Sequence, residues 1–222
     1  MNFFGHAVIA ERSEAARGEP RAEFVLGAML PDFASMLRVR PPSTTHEAVA
    51  EGIRFHHATD DAFHGSESFL EFSRQASSFL RERGLSRGAA RAVAHVGVEL
   101  LIDGALPENA ANEAYLSALA AALTNDVASH IQWQAVEQEA RFQHLCHNLR
   151  ARGAPRRDAP PELVAERLRN ILASRPRLAM DEAGQSVVTD WIVSSGPLIA
   201  AKAKLVVTEV EQRLALSHRF ER

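Results

Sequence analysis

Cysteine is nearly missing from this chain: Cys146 stands alone among 222 residues. A single thiol excludes an internal disulfide framework and every zinc motif built on paired cysteines. It fits a reducing compartment. An excess of either charge is missing too. The formal net charge of −3 points neither to a nucleic-acid surface nor to an acidic tail. Long apolar runs are also lacking. The longest, Gly196 to Val207, is broken by Lys202 and Lys204, short of the ~18 residues that a spanning helix needs. The opening MNFFGHAVIAERSE has no basic leader region and carries His6 inside its apolar stretch, so no targeting segment is expected. The expectation is a cytoplasmic protein with no membrane and no nucleic-acid partner. Internal repeats and low-complexity tracts are absent as well.

What is present is ordinary globular composition, 46% hydrophobic and 24% charged, on a chain long enough to bury a core without metal or disulfide staples. Alanine, leucine, arginine and glutamate dominate and β-branched alternation is scarce, which predicts an all-α fold. Helices are expected over Asn2 to Glu11, Pro20 to Met29 with a stop at Pro31, Thr45 to His64, and Ser66 to Arg83 closed by Gly84. Others are expected over Ser86 to Asp103, Glu108 to Leu123, Asp126 to Arg150, Glu162 to Ser174, and from Asp181 onward. Residues 152–161 are rich in proline and arginine and read as a linker. The roughly 60 residues beyond it make too few helices for a separate domain, so a single-domain helical bundle over residues 1–222 is expected.

The segment GIRFHHATDDAFHG, Gly52 to Gly65, carries the densest chemistry. On a helix His56, Asp60 and His64 stand one turn apart. At ~100° per residue Val49 and Ile53 fall within about 60° of His56, and Phe63 within about 20°. His56 and Asp60 therefore point inward, where an unpartnered imidazole or carboxylate is costly. His57 and Asp61 point elsewhere. The next helix repeats the pattern: His95 and Glu99 share a face with Ala92, Val98 and Ile102, and Arg91 lies one turn before. Two helices that each bring a histidine and a carboxylate inward are how bundles build metal sites. His6 in an apolar stretch and Asp32 after Leu30-Pro31 complete a set with enough ligands for two ions. Imidazole with carboxylate suits Zn, Mn or Fe better than Mg or Ca. The bland alternative is that each pair is a local helix contact; His64 reads either as a further metal ligand or as a helix-end cation. Asp103 reads as a helix-end residue, and His46, His130, His144, His147 and His218 as surface or loop residues.

Met1-Asn2-Phe3-Phe4-Gly5-His6, then Leu26-Gly27-Ala28-Met29-Leu30-Pro31-Asp32-Phe33, then Gly52-Ile53-Arg54-Phe55-His56 with Asp60, and Leu172-Ala173-Ser174-Arg175-Pro176-Arg177-Leu178 together resemble the bacterial acyl carrier protein phosphodiesterases. That family is similar to the HD-type metal phosphohydrolases. The resemblance implies an HD-like helical fold with a mono-metal or di-metal site between helices. It also implies a divalent cation such as Mn, release of 4′-phosphopantetheine from holo-acyl carrier protein, and ligation by His6, Asp32, His56 and Asp60. The departures fall in the metal shell. His57 stands where the family usually has arginine, and His64 where it has a second carboxylate. His95-x-x-x-Glu99-Leu100 replaces its Asp-x-x-x-Asp-His. The altered ligand order also resembles that of the zinc-dependent phospholipase C and single-strand nuclease enzymes, although the surrounding sequence does not.

Both resemblances imply phosphoester hydrolysis. In that expectation Asp60 or Asp32 bridges two ions, and Arg54, Arg175 and Arg177 are the arginines available to hold phosphate. The basic clusters Arg81-Glu82-Arg83 with Arg87, and Arg150 to Arg157, could dock an acidic carrier protein. A zinc phosphoesterase acting on lipid or nucleotide, and a non-catalytic helical protein that keeps the fold, are the alternatives.

Overall fold

The computed structural model describes residues 1–106, 109–155, 159–173, 175 and 178–220, with backbone alone for 217–220. The fold is all-α. Ten helices are present among the described residues, with one two-stranded antiparallel pair. The chain groups into two compact units. Unit 1 is Met1–Asp61 with Pro107–Pro155, and unit 2 is Ala62–Leu106 with Arg156–Arg222.

Unit 1 is organised around α2, Ala22–Leu37, which packs against α1 (Phe3–Ala15), α6 (Asn109–Ala121) and α8 (Val136–Arg152). Phe24, Val25, Leu26, Ala28, Met29, Leu30 and Phe33 are all buried. Apolar residues all round a helix mark it as central. Asn2 caps α1, its Oδ1 accepting from the Phe3 amide at 3.0 Å. The longer α3, Glu47–His64, lies in unit 1 up to Asp61. Gly27 and Gly52 let α2 and α3 meet backbone to backbone: a Cβ on Gly52 would run into the Phe24 carbonyl, and one on Gly27 into that of Val49. Cys146 on α8 is fully buried, and burial pushes its thiol up to about 12.

Two expectations are corrected here. Helix α2 does not stop at Pro31 but runs through it. Proline removes one N–H and strains the turn behind it, yet the apolar surface of α2 is buried on both sides of Pro31, and that burial outweighs the lost bond. Asp32 is therefore a mid-helix residue rather than a helix exit. The expected helix from Asp126 to Arg150 is instead α7 (Asn125–Ala128), strand β2 (Ile131–Gln132) and α8. β2 pairs with β1, Ser43–Thr44, so these few residues satisfy their backbone groups across the ladder instead of within a helix.

Unit 2 packs α4 (Glu67–Glu82), α5 (Arg87–Ala105), α9 (Pro161–Leu172) and the long α10 (Glu182–Phe220). Ser86 caps α5 by accepting from the Ala89 amide at 3.2 Å, and Gly84 takes the positive φ of +99° that ends the preceding helix. Trp191 is buried against Gly97, where a Cβ would strike its ring. Asp103, expected as a helix-end residue, lies in the last turn of α5 and is buried. The stretch Glu182–Leu216 of α10 is long and apolar enough, by length and composition only, to cross a membrane. Lys202 and Lys204 interrupt its apolar run but not the helix, because lysine is a good helix former. Val188, Trp191, Ile199, Val206 and Val210 of this stretch are buried within unit 2.

Candidate metal centre

In unit 1 three helices each contribute one ligand-bearing side chain: His6 from α1, Asp32 from α2 and His56 from α3. Their ligand atoms lie within 4.8 Å of one another. The His6 and His56 rings are in contact, with centroids 4.0 Å apart, and His6 Nε2 stands 3.9 Å from Asp32 Oδ2. Ligands bound at about 2.1 Å from a tetrahedral zinc ion are themselves roughly 3–4 Å apart, so the spacing fits a shared cation.

The electrostatics fit as well. His6 is 0% exposed, and neither of its ring nitrogens has a hydrogen-bond partner among the described residues. Burial pulls its pKa down to about 3, against the opposing pull of Asp60. Burial also lowers the pKa of His56. Both imidazoles are thus held in the neutral form that a metal ligand requires. His56 donates its Nδ1–H to the Ala28 carbonyl at 2.9 Å. That bond fixes the tautomer and leaves the Nε2 lone pair for a cation, the arrangement found around ligating histidines. Ala28 lies one residue beyond Gly27, whose carbonyl would be the partner of the amide hydrogen that Pro31 lacks.

Asp60 stands beside this trio. Its Oδ1 is 3.6 Å from His6 Nε2 and accepts a hydrogen bond from the Met1 nitrogen at 3.1 Å, and its side chain is 34% exposed. His57 and Asp61 are exposed, as the helical wheel predicts. Arg54 is exposed on α3, about 200° around the helix from His56, which takes it away from the trio.

The second expected pair belongs to unit 2. His64, the last residue of α3, joins His95 and Glu99 of α5 in a group that could also hold a cation. Glu99 Oε1 accepts from His64 Nε2 at 3.1 Å and lies 3.2 Å from His95 Nε2. The two rings stack with centroids 4.8 Å apart. Burial alone would raise the Glu99 pKa, but the two imidazoles outweigh it and hold the carboxyl well below the usual range. The expectation that His95 and Glu99 both point inward is corrected for His95: it is 47% exposed, while Glu99 is 14% exposed. The expected ligands thus fall into two trios, one in each unit, with Asp60 beside the first. Arg175 follows α9 and is exposed in unit 2, while Arg177 and the Arg156-Arg157 part of the basic stretch lie outside the described residues.

Two contacts escaped the sequence. One is the Ala28 carbonyl that orients His56; its only trace is the glycine at Gly52, one turn before His56, meeting Gly27. The other is the Met1 nitrogen on Asp60, for which the sequence gives no signal. No protein-family model, curated protein or solved structure matches the chain.

Proposed function

We propose that the protein is a metal-dependent phosphoric diester hydrolase whose cation is held by His6, Asp32 and His56. One observation carries this reading: a fully buried imidazole, His6, makes no hydrogen bond at either nitrogen among the described residues while a second histidine and a carboxylate converge on it. A buried polar group normally finds a partner, and a divalent cation held by His6, Asp32 and His56 would supply one. Two imidazoles and one carboxylate suit Zn, Mn or Fe.

When bound, such a cation supplies Lewis acidity that brings the pKa of water toward neutrality and offsets charge on phosphoryl oxygens. The chain's own residues do the rest. His6 and His56 bind as neutral donors, and the Ala28 carbonyl keeps the His56 ring in register. Asp60, partly exposed and next to His6, is set to take a proton at Oδ1. The resemblance to acyl carrier protein phosphodiesterases supports holo-acyl carrier protein as substrate, with the 4′-phosphopantetheine ester as the bond cleaved. The imidazole-rich second trio favours the zinc reading, an esterase acting on lipid or nucleotide phosphodiesters.

The test is elemental analysis of protein purified without added metal, followed by hydrolysis of bis-p-nitrophenyl phosphate, holo-acyl carrier protein and a phospholipid. One to two equivalents of Zn, Mn or Fe, with chelator-sensitive turnover, is the expected result. Release of phosphopantetheine selects the carrier-protein reading, and turnover of lipid alone selects the zinc reading. A protein that neither purifies with these ions nor binds them in a calorimeter would remove both.

A further inference from the structure

A groove of about 440 Å³ runs along unit 2 where α4 and α5 meet. On α4, Ser73, Arg74, Ser77 and Arg81 succeed one another at i, i+1, i+4 and i+8, while Phe72, Ala76 and Leu80 face the core. From α5, Arg91 and His95 stand one turn apart on the same groove. We infer that this groove is a binding site for a phosphate-bearing small molecule.

Four features carry the inference. First, no carboxylate lines the groove, although three guanidiniums do. Arg74 is offset by Glu71 at 2.7 Å, but no ion pair of Arg81 or Arg91 is present among the described residues. Like charges gathered without a counter-charge repel and favour an anion. Second, the Ser73 Oγ is buried beside the groove and has no hydrogen-bond partner among the described residues, so a phosphate oxygen that reaches it would satisfy it. Third, guanidinium forks with hydroxyls match the several oxygens of a phosphate. Fourth, the volume lies in the range of small-molecule sites and exceeds what inorganic phosphate fills. Phe69 and Leu70 also line it, giving an apolar organic part a surface to cover. His95 joins the groove to the His64–Glu99 trio, so the anion binds next to a group that could hold a cation.

The inference rests on unit 2 alone and does not depend on the hydrolase reading. Its test is calorimetric titration of the full chain, in the presence of chelator, with phenylphosphonate, inorganic phosphate and benzoate. Phenylphosphonate carries the dianion and an apolar ring and cannot be hydrolysed as an ester. Saturable binding of one phenylphosphonate per chain is expected, tighter than inorganic phosphate and much tighter than benzoate. Arg81→Gln and Arg91→Gln should each weaken it about tenfold, the loss of a charge-assisted bond. Ser73→Ala should weaken it less. Lys202→Gln, which removes the same charge from an exposed position on α10, should stay within about twofold. Circular dichroism of each variant separates misfolding from lost binding. Absence of saturable binding, equal affinity for benzoate, or an equal loss in Lys202→Gln would overturn the inference. Because metal is absent throughout, a protein that binds phenylphosphonate but hydrolyses nothing would refute the proposed activity and leave this site standing.

Discussion

His56 of α3 donates its Nδ1–H to the main-chain carbonyl of Ala28 on α2, at 2.9 Å. Backbone does not swing as a side chain does, so the imidazole is oriented by the packing of two helices. That packing depends on glycine. Gly52→Ala would push a methyl group into the Phe24 carbonyl, and the helices would have to part. A loss of about 1–3 kcal/mol or more is expected from overpacking, with a larger proportional loss of metal affinity as the His56 ring loses its anchor. Denaturant unfolding and metal titration of the same variant check both. Retained metal affinity in a destabilised variant would separate the helix contact from the site.

His6 gives a sharper test, because the two readings of it predict opposite signs. If His6 exists to bind metal, it is a burden on the metal-free fold: a buried polar group without a partner costs about 1–3 kcal/mol. His6→Leu should therefore melt at or above chelated wild type. At the same time it should lose the rise in Tm that added Zn or Mn gives wild type. A chelated variant that melts well below wild type would mark His6 as a structural residue.

Asp60 and Asp61 are neighbours of identical chemistry, one beside His6 and the other exposed. Asp60→Ala is expected to lower metal affinity about 10–100-fold, the range for residues that support a metal site. Asp61→Ala should stay within about 0.5 kcal/mol in stability with metal content unchanged. Equal metal content in the two variants would remove Asp60 from the site.

The acid limb of stability should carry the mark of Glu14. Its carboxylate is buried and accepts from Arg21 Nε at 2.6 Å, and this bond holds its pKa below the usual carboxylate value of 4.5. A carboxyl lowered in the folded state binds fewer protons there than in the unfolded chain. Its contribution is complete above the unfolded pKa and is lost as pH falls through the folded one. Glu14→Gln should accordingly flatten the loss of stability below about pH 4.5 while lowering stability at neutrality. Urea unfolding from pH 7 down to pH 3 measures the slope, and an unchanged slope would show that the pair is not linked to folding.

The helical wheel correctly separated His56 from His57 and Asp60 from Asp61, because apolar neighbours such as Val49 and Phe63 mark the inner face directly. It also paired His95 with Glu99, but turned both inward, whereas His95 is 47% exposed. It could not assign partners between helices. His64 was legible as a ligand or a helix-end cation, and only the approach of α5 brings it onto Glu99. Nor could it see past Pro31: local propensity ends the helix there, whereas burial on both sides of the proline carries it on. The break at Ile131–Gln132 was hidden for the same reason, since its partner strand, Ser43–Thr44, lies far away in sequence. Arg54 is the counterexample, a residue chosen for its chemistry beside a good motif that the helix turns outward.

The solitary thiol of Cys146 gives the molecule a built-in clock. Only the thiolate reacts with alkylating reagents, and a group that is fully buried and shifted to about 12 is silent in the native chain. Each labelled molecule is therefore one in which α8 has lifted from its packing. With no second cysteine to compete, the rate of modification in mild denaturant counts openings of unit 1 without a fluorophore, a tag or a mutation. A cation that ties α1, α2 and α3 together would register as a slower tick.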